Sequence, residues 1–302
     1  MKMEYLWQIV KLTRLPIVAA VIPIFFLGVL FALQIGATFS LFNLLIGFSI
    51  LFLIEIGASF ANDYFDFEAD KYNKQFGFSG GSGVLLHYPE LRLFAKWVSI
   101  SLFLIALILT SIFTWYASFP LWTIGYIIVA IFFCWFYTAP PLRLVYRGLG
   151  ELPHFLAGIM FPGWGYLLMT KTIDISLLIF AIPFGLLGLT VILNFEIPDR
   201  EADIHAGKRN FIVRKGRFFS FLIIMILNIL TTLYITILAL TNWYSPYISF
   251  SAIAIILLLP TSFSISAVLK NRDTQRSSTQ YALRNAITGF LAVFFIMCLF
   301  LI

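Results

Sequence analysis

The chain has 302 residues, 61% of them hydrophobic and only 11% charged, with a mean hydropathy of +0.97. A soluble domain carries roughly 25% charged residues, so the composition excludes a solvated globular surface and indicates a polytopic membrane protein. The net charge of +6 does not call for nucleic acid, because the basic residues sort by loop.

A membrane-spanning helix needs about 20 mostly apolar residues, and the apolar runs here are continuous rather than alternating, which selects helices over a barrel. The first run, Leu15–Leu33, is too long for a signal-peptide core and has no small-residue cleavage site after it, so it reads as a retained helix. Further runs follow at Leu41–Ala61, Leu93–Tyr116, Leu121–Ala139, Leu152–Met169, Ile175–Leu193, Phe219–Leu240, Pro246–Leu269 and Asn285–Ile302. The expected fold is therefore all-α, a single integral membrane domain over residues 1–302 with about nine transmembrane helices. With these spans, nineteen of the twenty Lys and Arg residues fall on one side and Lys171 alone on the other. The positive-inside rule then places the N-terminus and the charged loops in the cytoplasm, in a multi-pass protein of the cell membrane. Cys134 and Cys298 lie inside apolar runs and read as small buried side chains.

The carboxylates are clustered. The second run ends in Asn62-Asp63-Tyr64-Phe65-Asp66-Phe67-Glu68-Ala69-Asp70, and the sixth in Glu196-Ile197-Pro198-Asp199-Arg200-Glu201-Ala202-Asp203. With Glu55 upstream, these stretches hold nine of the 14 acidic residues. Asn62, Asp66 and Asp70 are spaced i, i+4, i+8, one stripe of a helix, and Asp199 and Asp203 repeat the i, i+4 step, with Glu196 extending that stripe. Carboxylates brought this close repel unless a cation sits between them, and oxygen donors of this kind suit Mg²⁺, which leaves positions open for phosphate oxygens. Ionisable groups at membrane depth read as functional.

Basic residues stand beside both clusters: Arg14 at the mouth of the first run, Lys71 after the first cluster, Arg143 and Arg147 four apart after the fourth run, and Lys208 after the second cluster. Metal and cationic donors together suit a diphosphate. The Gly77–Gly83 stretch, with glycines at 77, 80, 81 and 83, is either a source of backbone N–H groups for phosphate or a lid, and lacks the Gly-Lys-Ser/Thr ending of a P-loop. His87, His154 and His205 lack metal-ligand spacing, and Lys270, Arg272 and Arg276 read as headgroup contacts.

These motifs resemble the UbiA superfamily of membrane prenyltransferases, which is recognised by N-D-x-x-D-x-x-x-D after the second helix and D-x-x-x-D after the sixth. Here they read Asn62-Asp63-x-x-Asp66-x-x-x-Asp70 and Asp199-x-x-x-Asp203. The flanks at Tyr146–Leu152 and Asp199–Arg217, with Gly80-Gly81-Ser82, are similar to the 1,4-dihydroxy-2-naphthoate (menaquinone-type) branch; Ala69 stands where that branch often has Gly.

The resemblance implies nine helices around a central cavity and Mg²⁺-dependent prenyl transfer from a prenyl diphosphate to a lipophilic aromatic acceptor in quinone biosynthesis. It implies no nucleic-acid ligand and no obligatory protein partner, and it puts the active site at the cytoplasmic face. In that reading Asn62, Asp66 and Asp70 hold one Mg²⁺, and Asp199 and Asp203 another. Arg14, Lys71, Arg143, Arg147 and Lys208 neutralise diphosphate. Asp63, Tyr137 and Glu196 line the substrates, with Phe65 and Trp164 as further candidates to shield an allylic cation. Glu55 is either the base for the ring proton or a polar tie between helices. Two alternatives stand beside it: the same chemistry on an archaeal glycerophosphate, haem or 4-hydroxybenzoate acceptor, and an ion-coupled transporter.

Overall fold

A computed structural model describes residues 3–73, 81–244, 248–271 and 273–301. Most of the glycine-rich stretch, from Gly77 to Gly80, lies outside the described residues, as do Lys74 and Arg272. The described residues form helices joined by short turns: α1 (Met3–Leu12), α2 (Leu15–Gln34), α3 (Leu41–Phe65), α4 (Phe67–Asp70), α5 (Val84–His87), α6 (Arg92–Tyr116), α7 (Trp122–Phe136), α8 (Glu151–Thr170), α9 (Ile175–His205), α10 (Phe211–Leu240), α11 (Phe250–Lys270) and α12 (Gln275–Leu299).

Each expected span is a helix. Among the described residues, seven are both long and apolar enough to cross a membrane, with the first of them running from Glu4 through α2; α7 has 15 residues, and α8 carries Glu151, His154 and Pro162. The protein is a multi-pass membrane protein. The helices outrun their apolar runs at the charged ends. α9 continues past Leu193 through Asp199 and Asp203 to His205, and α10 begins at Phe211, eight residues before the apolar run that starts at Phe219. Asn210 caps α10 by accepting from the Val213 N–H at 3.2 Å, and Gly216 (φ 83, ψ 173) breaks the helix inside the polar segment. Several hydroxyls inside the spans donate to carbonyls one turn back, as Thr110 does to Ala106 at 2.7 Å and Thr231 to Leu227 at 2.8 Å, so these need no water.

The chain divides into two compact units. The first comprises residues 1–21, 40–153 and 201–209. Its core joins Leu12, Phe60, Val84, Leu85 and Ala95. The Ser99 hydroxyl donates to the Gly57 carbonyl at 2.8 Å, tying α6 to α3. Trp97 and Trp115, both exposed, lie 18 positions apart on α6, or about 27 Å at 1.5 Å per residue, close to the ~30 Å hydrocarbon thickness. They mark its two interfaces in the manner of an aromatic belt. The Arg92 guanidinium at the start of α6 lies 5.2 Å from the Tyr64 ring and 4.5 Å from the Phe67 ring, so the carboxylates that end α3 belong to the Trp97 side.

The second unit comprises residues 22–39, 154–200 and 210–302. One cluster gathers Leu193, Ile197, Ile212, Phe221, Ile224, Ala267 and Ala282. At another point Phe31 stacks on Phe180 with ring centroids 4.2 Å apart, and on Tyr166 at 5.7 Å. α2 and α8 approach so closely that a Cβ on Gly28 would collide with the Pro162 carbonyl.

Candidate active site

The first carboxylate motif straddles the end of α3. Asp66 leaves helical geometry (φ −87, ψ 4), yet its N–H still donates to the Asn62 carbonyl at 2.9 Å, and the Asp70 N–H to the Asp66 carbonyl at 2.8 Å. The i, i+4, i+8 stripe therefore persists, but as α3, a junction and the single turn α4 rather than one uninterrupted helix. The junction leaves the Asp66 side chain, 13% exposed, where other segments reach it.

Six residues close on the cluster, all within the first unit. Arg14, held at φ 50 between α1 and α2, forms an ion pair with Asp63, whose side chain is 2% exposed. Ser82 donates to the same carboxylate through its hydroxyl and through its N–H, the latter at 3.3 Å. Gly81 (φ 79) lies against Asp70, where a Cβ would stand 2.5 Å from Oδ2. The Tyr146 hydroxyl donates to Asp66 Oδ1 at 3.0 Å, and Lys208 Nζ lies 3.3 Å from Asp66 Oδ2. The same ammonium is 3.1 Å from Asp203 Oδ1, so one lysine joins a carboxylate of the first motif to one of the second. The turn after α9 aims it: Gly207 adopts φ 75, the Lys208 N–H donates to the Asp203 carbonyl at 3.0 Å, and the Arg209 N–H donates to Val145 O at 3.3 Å. Asn62 Oδ1 accepts from the Thr138 hydroxyl at 3.1 Å.

The charges do not balance. Asp63, Asp66, Asp70 and Asp203 face Arg14 and Lys208. Burial first, and then the charges of Asp66 and Asp63, push the Asp70 carboxyl up to about 8, against the pull of Arg14 and Lys208. Burial alone would lower the Lys208 ammonium, but Asp66 and Asp203 outweigh it and hold the side chain charged well above the usual lysine range. Burial, then Asp66, raises the Tyr146 phenol, which therefore stays a donor. A cluster of hard oxygen donors that lacks positive charge fits a hard divalent cation. Among the described residues, no group of three or more Asp, Glu, His or Cys side chains stands at metal-ligating separation; Lys208 and Arg14 hold the oxygens instead.

The remaining expected residues are placed as follows. Lys71 turns away to Glu68 at 2.7 Å, where both side chains are half or more exposed, and Arg147 donates to the Pro141 carbonyl at 2.9 Å. They do not join Arg14 and Lys208, because each finds a nearer acceptor. The Arg143 guanidinium lies 4.0 Å from the centroid of the Tyr146 ring. Tyr137 ends α7 with its carbonyl accepting from the Val145 N–H at 3.1 Å. Glu55 is on α3 two turns before Asn62. Glu196 and Asp199 fall in the second unit, on the same helix α9 that brings Asp203 to Lys208. Ser82, Tyr146 and Thr138 were not expected as site residues. Tyr146 lies in the Tyr146–Leu152 stretch noted in the sequence, but local spacing carries no sign that its hydroxyl reaches a carboxylate 80 positions away.

Beside the cluster a cleft of about 450 Å³ opens, with Phe65, Tyr72, Arg92, Arg143, Tyr146 and His205 among its walls. The arrangement can therefore bind a cation and an anion side by side, with an aromatic-lined space next to them.

Comparison with known proteins gives a consistent picture. The family model of the UbiA prenyltransferase family matches residues 20–299. A UbiA homolog from Archaeoglobus fulgidus, solved bound to GPP and Mg²⁺, superposes with a TM-score of 0.64 at 16% identity, covering 95% of this chain and 99% of that one. A structure of digeranylgeranylglyceryl phosphate synthase superposes with a TM-score of 0.64 at 17% identity, covering 98% and 99%. The apo UbiA homolog from Aeropyrum pernix K1 gives 0.61 at 13% identity, covering 88% and 96%. Direct sequence comparison with curated proteins finds no match. At these identities the superpositions establish the shared fold.

Proposed function

The chain belongs to the UbiA prenyltransferase family, and on that premise we propose that it transfers a prenyl group from a prenyl diphosphate to a lipophilic aromatic acceptor in a Mg²⁺-dependent reaction at the cytoplasmic face of the membrane. The observation that carries this reading is the meeting of the two acidic motifs: Lys208 Nζ spans Asp66 at 3.3 Å and Asp203 at 3.1 Å. Asn62, Asp66 and Asp70, with Asp199 and Asp203, are the residues that would hold Mg²⁺, whose charge neutralises a leaving diphosphate. The A. fulgidus homolog bound to GPP and Mg²⁺ supports that donor and that ion.

The chain's own residues divide the remaining work. Tyr146 and Thr138 orient the oxygens of Asp66 and Asn62 by donating to them. Arg14 and Ser82 hold Asp63, which fixes the first turn of the motif. Lys208 supplies a cation beside the position of the departing diphosphate, where preorganised charge lowers the cost of breaking the carbon–oxygen bond. Half-buried aromatic rings such as Phe65, which meets Trp135 edge-on at 5.0 Å, offer π faces to a developing allylic cation. The acceptor ring carbon forms the new bond as the diphosphate leaves, and the ring then loses a proton or CO₂.

The acceptor we propose is 1,4-dihydroxy-2-naphthoate or a close analogue, on the strength of the Tyr146–Leu152 and Asp199–Arg217 segments. The test is protein in nanodiscs with labelled geranylgeranyl diphosphate, Mg²⁺ and a panel of acceptors. A prenylated naphthoquinol supports the reading. Product with 4-hydroxybenzoate or a glycerophosphate in its place overturns the acceptor and keeps the reaction class.

A further inference from the structure

The helix that precedes the first apolar run is built as three stripes. On α1, Tyr5, Ile9 and Leu12 (i, i+4, i+7) face the body of the first unit. Leu12 is fully buried with Phe60, Val84, Leu85 and Ala95, Ile9 packs against that cluster, and Tyr5 meets the Tyr88 ring edge-on at 5.7 Å. Glu4, Gln8 and Lys11, again i, i+4, i+7, form a polar stripe beside it. The rest of the circumference carries Leu6, Trp7 and Val10, with Leu6 52% and Trp7 59% exposed. Length says where this apolar stripe lies. α2 has 20 residues and no charge, and at 1.5 Å per residue it matches the ~30 Å hydrocarbon layer by itself. α1 in line with it would add about 15 Å, but Arg14, at φ 50, breaks the rod between them. Depth agrees. Leu12 shares a cluster with Ala95, two positions before Trp97, the interfacial tryptophan of α6. Lys11 Nζ lies 5.9 Å from the Trp7 centroid, as Lys96 Nζ lies 5.7 Å from that of Trp97. The same lysine–tryptophan pairing therefore recurs at the level of the aromatic belt.

We propose that α1 is an interfacial helix that docks on the phospholipid surface at the carboxylate end of the protein, with Leu6 and Trp7 at the boundary of headgroups and acyl chains and Lys11 on a lipid phosphate, and that this docking holds residues 81–90 in place. The Tyr5 hydroxyl donates to Glu90 at 3.0 Å and the Tyr88 hydroxyl to Glu4 at 2.6 Å, a reciprocal clasp between α1 and residues 88–90. Between the clasp and the carboxylates run α5, whose Val84 and Leu85 join the cluster of Leu12, and Ser82, which donates to Asp63. The other end of α1 leads to Arg14, which pairs with the same Asp63. Ile9 and Leu12 root the second half of α1 in the core, and the first turn is left to clasp and lipid. The two bonds of the clasp are exposed, where water competes for the same groups, so they hold while the leaflet keeps α1 in register. The inference goes beyond the prenyl-transfer reading and does not depend on it.

Depth-dependent fluorescence quenching tests the docking. Full-length protein in nanodiscs is compared with Trp7→Phe, and the difference isolates Trp7 among the seven tryptophans. Lipids brominated near the glycerol end should quench it about twofold or more as strongly as lipids brominated near the chain terminus, and aqueous acrylamide should quench it little. Strongest quenching by the deep bromines would carry α1 into the bilayer as a continuation of α2, and quenching by acrylamide alone would put it in water; either result overturns the proposal. Hydrogen exchange read by mass spectrometry tests the coupling. Leu6→Ser with Trp7→Ser removes the apolar stripe, and Tyr5→Phe with Tyr88→Phe removes both hydroxyls and keeps the rings. Each pair should speed exchange over residues 84–90 by about tenfold or more, the scale of one lost hydrogen bond to a charged group. α11 and α12 should exchange as in wild type and so report an intact fold. Should the first pair fail to fold, Leu6→Gln alone carries the comparison. Exchange that rises in α1 while residues 84–90 stay protected overturns the coupling, and exchange unchanged throughout the Leu6 and Trp7 variant overturns the docking as well. These variants touch no residue assigned to the metal or the diphosphate, so the outcome stands whether or not prenyl transfer is observed.

Discussion

Replacing Lys208 by Met removes one charge and keeps most of the volume. In the structure that ammonium is shared between Asp66 at 3.3 Å and Asp203 at 3.1 Å, with the three side chains 14%, 13% and 8% exposed. At an effective dielectric of about 20, two unit charges ~4 Å apart attract by about 4 kcal/mol, and desolvation of the ammonium offsets several kcal/mol of the total. Breaking such a partly buried pair by removing one partner costs about 3–5 kcal/mol, because the carboxylates are left uncompensated. Two opposite consequences follow. The metal-free variant should melt below wild type. Its affinity for a divalent cation should rise, by about tenfold or more, because the cation no longer has to displace Lys208 and 1.4 kcal/mol already corresponds to a factor of ten. Mn²⁺ titration followed by electron paramagnetic resonance measures the affinity, and a thermal melt with and without Mg²⁺ measures the compensation. Unchanged or weaker Mn²⁺ binding in Lys208→Met, with the variant folded, would refute the view that lysine and cation compete for the same oxygens.

Three further outcomes are expected. Tyr146→Phe deletes the 3.0 Å bond to Asp66 and leaves the ring under Arg143; the loss of one hydrogen bond to a charged group, about 1.5–3 kcal/mol, should lower the melting temperature by a few degrees and kcat/KM by tenfold or more. Gly81→Ala forces a side chain onto a φ of 79 and against the Asp70 carboxylate, so activity and cation binding should fall together, as measured by turnover and Mn²⁺ titration. Gly28→Ala places a methyl against the Pro162 carbonyl in the second unit and should destabilise by about 1–3 kcal/mol, read as a lower melting temperature, while cation affinity in the surviving folded protein stays at the wild-type value.

The acidic motifs were legible because their spacing is helical and because carboxylates are rare in so apolar a chain. Hydropathy also located a helix at every expected apolar run, seven of them among the described residues long and apolar enough to span, since continuous apolar runs have few other uses. It misjudged the ends of α9 and α10 for a physical reason: a helix leaving the bilayer keeps its backbone hydrogen bonds while its side chains become charged, so the window closes before the helix does. The partners were harder to read. Lys71 and Lys208 look alike in sequence, each a lysine close after an acidic cluster. Lys71 is satisfied by Glu68 three positions back, whereas the Gly207 turn sends Lys208 to a carboxylate 142 positions away. Arg92 counted only toward topology and His205 read as incidental, since nothing local announces that the start of α6 and the end of α9 line one cleft.

The central claim is that the two acidic motifs act together, with Mg²⁺, on a prenyl diphosphate. Its most direct test is the release of labelled diphosphate and formation of prenylated product by wild type, Asp66→Ala and Asp199→Ala in nanodiscs, each with Mg²⁺ and with EDTA. Activity confined to wild type with Mg²⁺, with both variants folded and inactive, is the expected result. Full activity in EDTA, or in either variant, would contradict it.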